Sequence, residues 1–166
     1  MTLEITQNRS NLVYTAIVVL ACAVFYILEW VNGRDLMPDL FVYYSAAKEW
    51  MLGGEPYGQA FGLSSGYFKY SPLAMLAFVP LSFLPYKIAS SLFYWLVVVV
   101  FIELSLRLWK HSKSLYSSPS MVWVLAVVGV IVSGHLIREL HLGNINLILL
   151  FLCWLVFKAI QADKFS

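Results

Sequence analysis

The chain has 166 residues, 61% of them hydrophobic and only 12% charged, with a mean hydropathy of +0.78. So few charges cannot cover that much apolar surface in water, so a soluble domain is excluded and an integral all-α membrane protein is expected. The formal net charge of +2 is too small to point to nucleic acid. Cys22 and Cys153 stand singly in apolar runs without metal-ligand spacing, and read as small buried hydrophobes.

In chain order, residues 1–11 form a polar, mixed-charge N-terminus. No small-residue cleavage site follows the first apolar run, so that run reads as a retained helix. It covers residues 12–31, about 20 residues, enough at 1.5 Å per residue to cross a ~30 Å hydrocarbon core. Asn32-Gly33-Arg34-Asp35 breaks it, opening a long loop over residues 32–88. Two surface helices are expected in that loop. The first, 39–52, is amphipathic and too short and polar to span. Gly53-Gly54 ends it, because glycine accepts the left-handed turn at a helix C-terminus. The second, 72–85, is apolar but bracketed by Pro72 and Pro85 and interrupted by Pro80, which suits an interfacial or re-entrant helix.

Further spans are expected at 89–108, 121–136 and 144–160. They are separated by a loop at 109–120 and a short loop at 137–143, and a tail follows at 161–166. This four-span topology puts Arg9, Arg107, Lys110, Lys113, Lys158 and Lys164 on the cytoplasmic side. It leaves Arg34, Lys48, Lys69, Lys87 and Arg138 outside, mostly in one long loop that the positive-inside rule weighs lightly. Both termini are then cytoplasmic in a plasma (inner) membrane, and the two interesting loops share the outer face.

Chemistry concentrates in those loops. Asp39 sits just beyond the first span at the start of a helix. Two compatible roles fit it: an N-cap that satisfies the free N–H groups of the first turn, and a general base held on a rigid element. Arg138 and His141, three residues apart, are placed to meet an anionic phosphate. Asn144 and Asn146 follow them and serve either a ligand or helix–helix hydrogen bonds. Lys69-Tyr70 is a basic, aromatic pair before a proline turn. The middles of the spans are nearly free of polar residues, which argues against a channel or transporter.

At these residues the sequence resembles glycosyltransferase family 87, the DUF2029 group. The resemblance is carried by Asp39-Leu40-Phe41-Val42-Tyr43-Tyr44, Ala46-Ala47, Leu52-Gly53-Gly54 and Pro56-Tyr57. It continues in Phe68-Lys69-Tyr70-Ser71-Pro72-Leu73, Pro80-Leu81, Leu84-Pro85 and Leu142-Gly143-Asn144-Ile145-Asn146-Leu147. It runs from about Gly33 to Leu152, with Asn144 where the family usually has Gln. The resemblance implies a GT-C bundle whose first outer loop carries an acid at the transfer site, the position of Asp39. It implies transfer of a hexosyl, mannosyl-type group from a polyprenyl-phosphate sugar to an acceptor hydroxyl at the outer leaflet. Family members are much longer, so the chain is expected to be an N-terminal part, truncated or split. A second membrane chain or a homo-oligomer would then supply the missing helices. The alternative is a non-catalytic module derived from such an enzyme that binds a lipid or a partner. The candidate site has Asp39 as catalytic residue. Tyr43, Lys69, Tyr70, Arg138, His141, Asn144 and Asn146 are its substrate- or phosphate-binding residues. No metal or other cofactor is expected beyond the lipid-linked sugar.

Overall fold

The computed structural model describes residues 2–62, 66–115 and 120–163. Seven helices carry the described chain: α1 (Thr2–Val31), α2 (Pro38–Met51), α3 (Pro72–Leu76), α4 (Val79–Ser82), α5 (Tyr86–Leu115), α6 (Ser120–Leu142) and α7 (Asn146–Asp163). No strand occurs among the described residues, only an isolated antiparallel bridge between Ala60 and Tyr67. Pro119 and the tail from Lys164 lie outside the described residues.

Two helices are long and apolar enough to cross a membrane alone, Asn8–Val31 within α1 and Tyr86–Ser112 within α5. The pair Val127–Leu142 and Asn146–Ala162, bent by 120° at its break, passes the same test only when taken together and counts as a third candidate if it is one broken span. The protein is therefore a helical membrane protein with two or three candidate spans. Half of the α5 span is buried inside the protein, against 6% of the α1 span, so α5 is the pillar and α1 leans on it from outside. Three side-chain hydrogen bonds fix that lean. Tyr14 donates to Ser105 (2.8 Å), Tyr94 donates to the Cys22 carbonyl (2.6 Å), and Tyr26 and Ser91 share a bond of 2.7 Å. As residue numbers rise along α1 they fall along α5, so the two helices are antiparallel. In lipid such bonds matter because apolar contact alone does not discriminate a helix from its solvent.

The helix expected at 39–52 is present as α2, but it does not lie bare on a surface. Leu40, Val42, Tyr43, Tyr44, Ala46 and Ala47 are buried, because α3, α4, α5 and α6 all pack against it. Ala46 and Ala47 leave room for that close approach, and Leu40, fully buried, contributes roughly 1.5–3 kcal/mol. Pro38 opens the helix and Gly53, at φ +81, closes it. The segment expected as one helix over 72–85 is two short ones. Ser71 caps the first, and Pro80 lies in the first turn of the second, where its missing N–H costs nothing. The loop expected at 137–143 is mostly helix, since α6 continues through Leu142 and the break occupies only residues 143–145. This difference matters, because it fixes Arg138, Glu139 and His141 on a rigid element.

Candidate functional site

Asp39 lies in the first turn of α2, yet it is not the cap. The N-cap position belongs to Met37, no side chain caps the helix, and no hydrogen bond ties the Asp39 carboxylate among the described residues. The capping role expected of Asp39 is therefore corrected. Met37 is held at φ 46, in the left-handed region that side chains rarely adopt. The Tyr86 hydroxyl donates to the carbonyls of Leu36 and Met37, and Gly143 packs close to the Met37 side chain.

Gly143 is the joint of the site. Its φ of +71 makes the turn from α6 into α7. A methyl group there would stand 2.7 Å from the Leu40 Cβ and 2.8 Å from the Met37 Cβ. Only a residue without a side chain lets the end of α6 sit directly on the first turn of α2. That contact brings Arg138 and Glu139 within electrostatic reach of Asp39, and Lys69 reaches it from the α2–α3 loop.

Burial, and next the nearby Glu139 carboxylate, push the Asp39 carboxyl above its ordinary value; Arg138 and Lys69 pull it down without cancelling the rise. One turn along, the Tyr43 hydroxyl lies 3.3 Å from that of Tyr70, with the rings edge to face at 5.4 Å. Burial and the Tyr70 contact push the Tyr43 hydroxyl well up, which keeps it a hydrogen-bond donor. Asp39, Tyr43, Lys69, Tyr70 and Arg138 thus lie in one neighbourhood around the first turns of α2.

The other expected residues have different occupations. Nδ1 of His141 meets the Glu29 carboxylate, which also pairs with Arg34 Nη2 at 3.0 Å. The Asn144 side-chain oxygen accepts from the Ile145 N–H (2.8 Å) within the turn. Asn146 donates to Glu139 Oε1 (2.9 Å), joining α7 to α6. Glu139 belongs to the same sequence cluster as Arg138 and His141, but sequence reasoning assigned it no ligand role. It is buried and its second oxygen has no hydrogen-bond partner among the described residues, a condition that costs roughly 1–3 kcal/mol. Its position seven residues before Asn146, across a glycine turn, was the available signal.

Two cavities flank α2. One of about 150 Å³ lies where α1 ends, α5 begins and α6 ends, with Glu29, Arg34, Asp35, Lys87 and His141 in its wall. The other, about 260 Å³, is an open hollow at the far end of α2 beside Trp50, Tyr57 and Met75. Asp39 lines neither, and its surroundings are the charges that reach across to it.

Helices long and apolar enough to cross a bilayer, with a half-buried carboxylate in electrostatic reach of two cations near their ends, define a helical membrane protein with a charged cluster beside its candidate spans. The family model of glycosyltransferase family 87 matches residues 68–165, more than half of the sequence, and the chain belongs to that family. The match covers Lys69, Tyr70 and the Gly143 turn but begins after Asp39, whose place in the site rests on its surroundings. Neither a curated protein nor a solved structure matches the chain.

Proposed function

We propose that the chain carries the acceptor-activating part of a membrane glycosyltransferase of GT-C type. It transfers a hexosyl, mannosyl-type group from a polyprenyl-phosphate sugar to an acceptor hydroxyl at the outer leaflet of the plasma membrane. The observation that carries this reading is Asp39, half-buried, free of a capping duty, and flanked by Arg138 and Lys69. The Asp39 carboxylate takes the proton of the acceptor hydroxyl as that oxygen bonds to the anomeric carbon. The bond from that carbon to the phosphate oxygen breaks, and the lipid phosphate leaves with the electron pair. Arg138 and Lys69 carry the charge that develops on the phosphate, as charge-assisted donors do. Tyr70, exposed and held edge to face against the buried Tyr43, presents a hydroxyl and a ring suited to holding a sugar.

The raised proton affinity of Asp39 suits the task, since a base works best with its pKa moved toward the working pH. The α1 span is almost uncovered by the rest of the chain, and the reading gives that apolar surface to lipid and to further helices of a partner or a second copy. The test is transfer from a polyprenyl-phosphate sugar in membranes containing the chain with whatever helices it assembles with. Asp39→Asn should cut transfer by ~10²–10⁴-fold while the protein still inserts. Full transfer by Asp39→Asn would end the proposal.

A further inference from the structure

The cavity beside Glu29 belongs to a different chemistry from the Asp39 site. Its floor is Glu29, buried, with both carboxylate oxygens in use: one takes Arg34, the other His141. One acid thus fixes two side chains from separate segments and leaves most of the five N–H donors of Arg34 unspent. The neutral polar groups of the wall are also occupied, since Ser90 and Ser91 donate to the Lys87 carbonyl and Tyr94 to the Cys22 carbonyl. Lys87 and Asp35 remain, and among the described residues neither has an ion-pair partner. The cavity therefore offers cationic donors and one carboxylate without an ion-pair partner in one wall.

Its depth in the membrane follows from its walls. Trp30 stands at the end of the first span and Lys87 at the start of the second, so the cavity opens at the level of lipid headgroups. A volume of about 150 Å³ admits a benzene-sized group, which fits the tip of a phospholipid and not a whole sugar-phosphate headgroup. A simple anion entering it meets Glu29 and Asp35 as well as the cations, and a simple cation meets Arg34 and Lys87. A ligand bearing both signs matches both halves. Val24, Ile27 and Leu28 are exposed on α1 below the cavity and provide a surface for acyl chains.

The geometry points to a site for the headgroup of phosphatidylethanolamine, its phosphate on Arg34 and Lys87 and its primary ammonium on Asp35. This assignment is independent of whether the chain transfers sugars. It is tested on the purified full chain reconstituted in nanodiscs of mixed phosphatidylethanolamine, phosphatidylcholine and phosphatidylglycerol, with retained lipids counted by native mass spectrometry. Phosphatidylethanolamine should be retained about tenfold over phosphatidylglycerol, equivalent to ~1.4 kcal/mol. It should also exceed phosphatidylcholine, whose nitrogen has no N–H for Asp35. Asp35→Asn should remove the preference over phosphatidylglycerol, and Lys87→Gln should lower retention of every phosphate-bearing lipid. Neither substitution touches the pairs of Glu29, and unchanged thermal unfolding in lipid-free detergent checks that both variants fold. Equal retention of phosphatidylglycerol by the unaltered chain would overturn the assignment. So would an intact preference in Asp35→Asn, or displacement of the retained lipid by a polyprenyl phosphate.

Discussion

At the scale of single residues, Asp39 is where stability and activity pull apart. Its carboxyl is raised in the folded state, so the folded protein binds the proton more tightly than the unfolded chain. The stability associated with that proton is full below the unfolded-state pKa and is lost as pH rises through the folded-state pKa. At neutral pH the ionised carboxylate is therefore a net cost, and Asp39→Asn should leave the melting temperature equal or higher while transfer falls by ~10²–10⁴-fold. A variant that lost stability and activity together would point to a structural role instead. The same shift sets the acid limb of the rate profile. The base must be ionised, so transfer should fall on acidification at a pH above the ordinary carboxylate value of ~3.9. Removing Glu139, the second cause of the rise, moves that limb to lower pH. Glu139→Gln measured against pH checks this, and an unmoved limb would show that Glu139 does not act on the base.

At the scale of elements, the α6–α7 turn decides whether the site exists. Gly143→Ala combines a left-handed backbone angle, at roughly 1–2 kcal/mol, with a methyl pressed into Met37 and Leu40, at roughly 1–3 kcal/mol of overpacking. It should lower the unfolding midpoint and also displace Asp39, so transfer should fall further than stability alone explains. Gly134→Ala, in the same helix with nothing within 4 Å of the added methyl, is the control and should be neutral or slightly stabilising. The sequence made α2 legible because its bounds are marked by Pro38 and Gly53 and its apolar residues repeat at helical spacing. About 100 residues separate Asp39 from Arg138, so the sequence reached no further than placing their two loops on one face through the charge count. The partners of Glu139 and Glu29 and the duties of His141 and Asn146 were not legible. Whether a polar side chain near a helix end faces water, a ligand or another charge depends on how the helices cross, and that is a long-range property. The capping role of Asp39 failed for a local reason: the strained Met37 turn moves the helix start one residue earlier than the Pro-Asp pair suggests.

At the scale of the whole molecule, the open quantity is the number of crossings, and the bent pair α6–α7 decides it. One bent span would carry the chain from the far end of α5 to the side of α2 and leave Lys158 there. Two crossings would return the chain to the far end of α5. The contacts favour the return. Gly143 touches α2, the Arg107 guanidinium stands 5.9 Å from the Phe151 ring, and the His111 ring meets Trp154 at 5.3 Å and Phe157 at 6.4 Å. From Asn146 onward α7 therefore runs alongside α5 toward the end that carries His111. The apolar stretches of α6 and α7 that form the pair have 16 and 17 residues, about 24–26 Å at 1.5 Å rise, a little short of a ~30 Å core. Arg107, Lys110 and Lys158 gather at that end, as the positive-inside rule asks of a cytoplasmic face. The expected result is measured on a background with Cys22 and Cys153 replaced by serine, using a membrane-impermeant maleimide on intact cells. Gln59→Cys should label from outside, whereas Lys110→Cys and Lys158→Cys should label only after the membrane is opened. Labelling of Lys158→Cys together with Gln59→Cys would make α6–α7 a single broken span. Labelling of Lys110→Cys alone would invert the protein and place the Asp39 site on the cytoplasmic face.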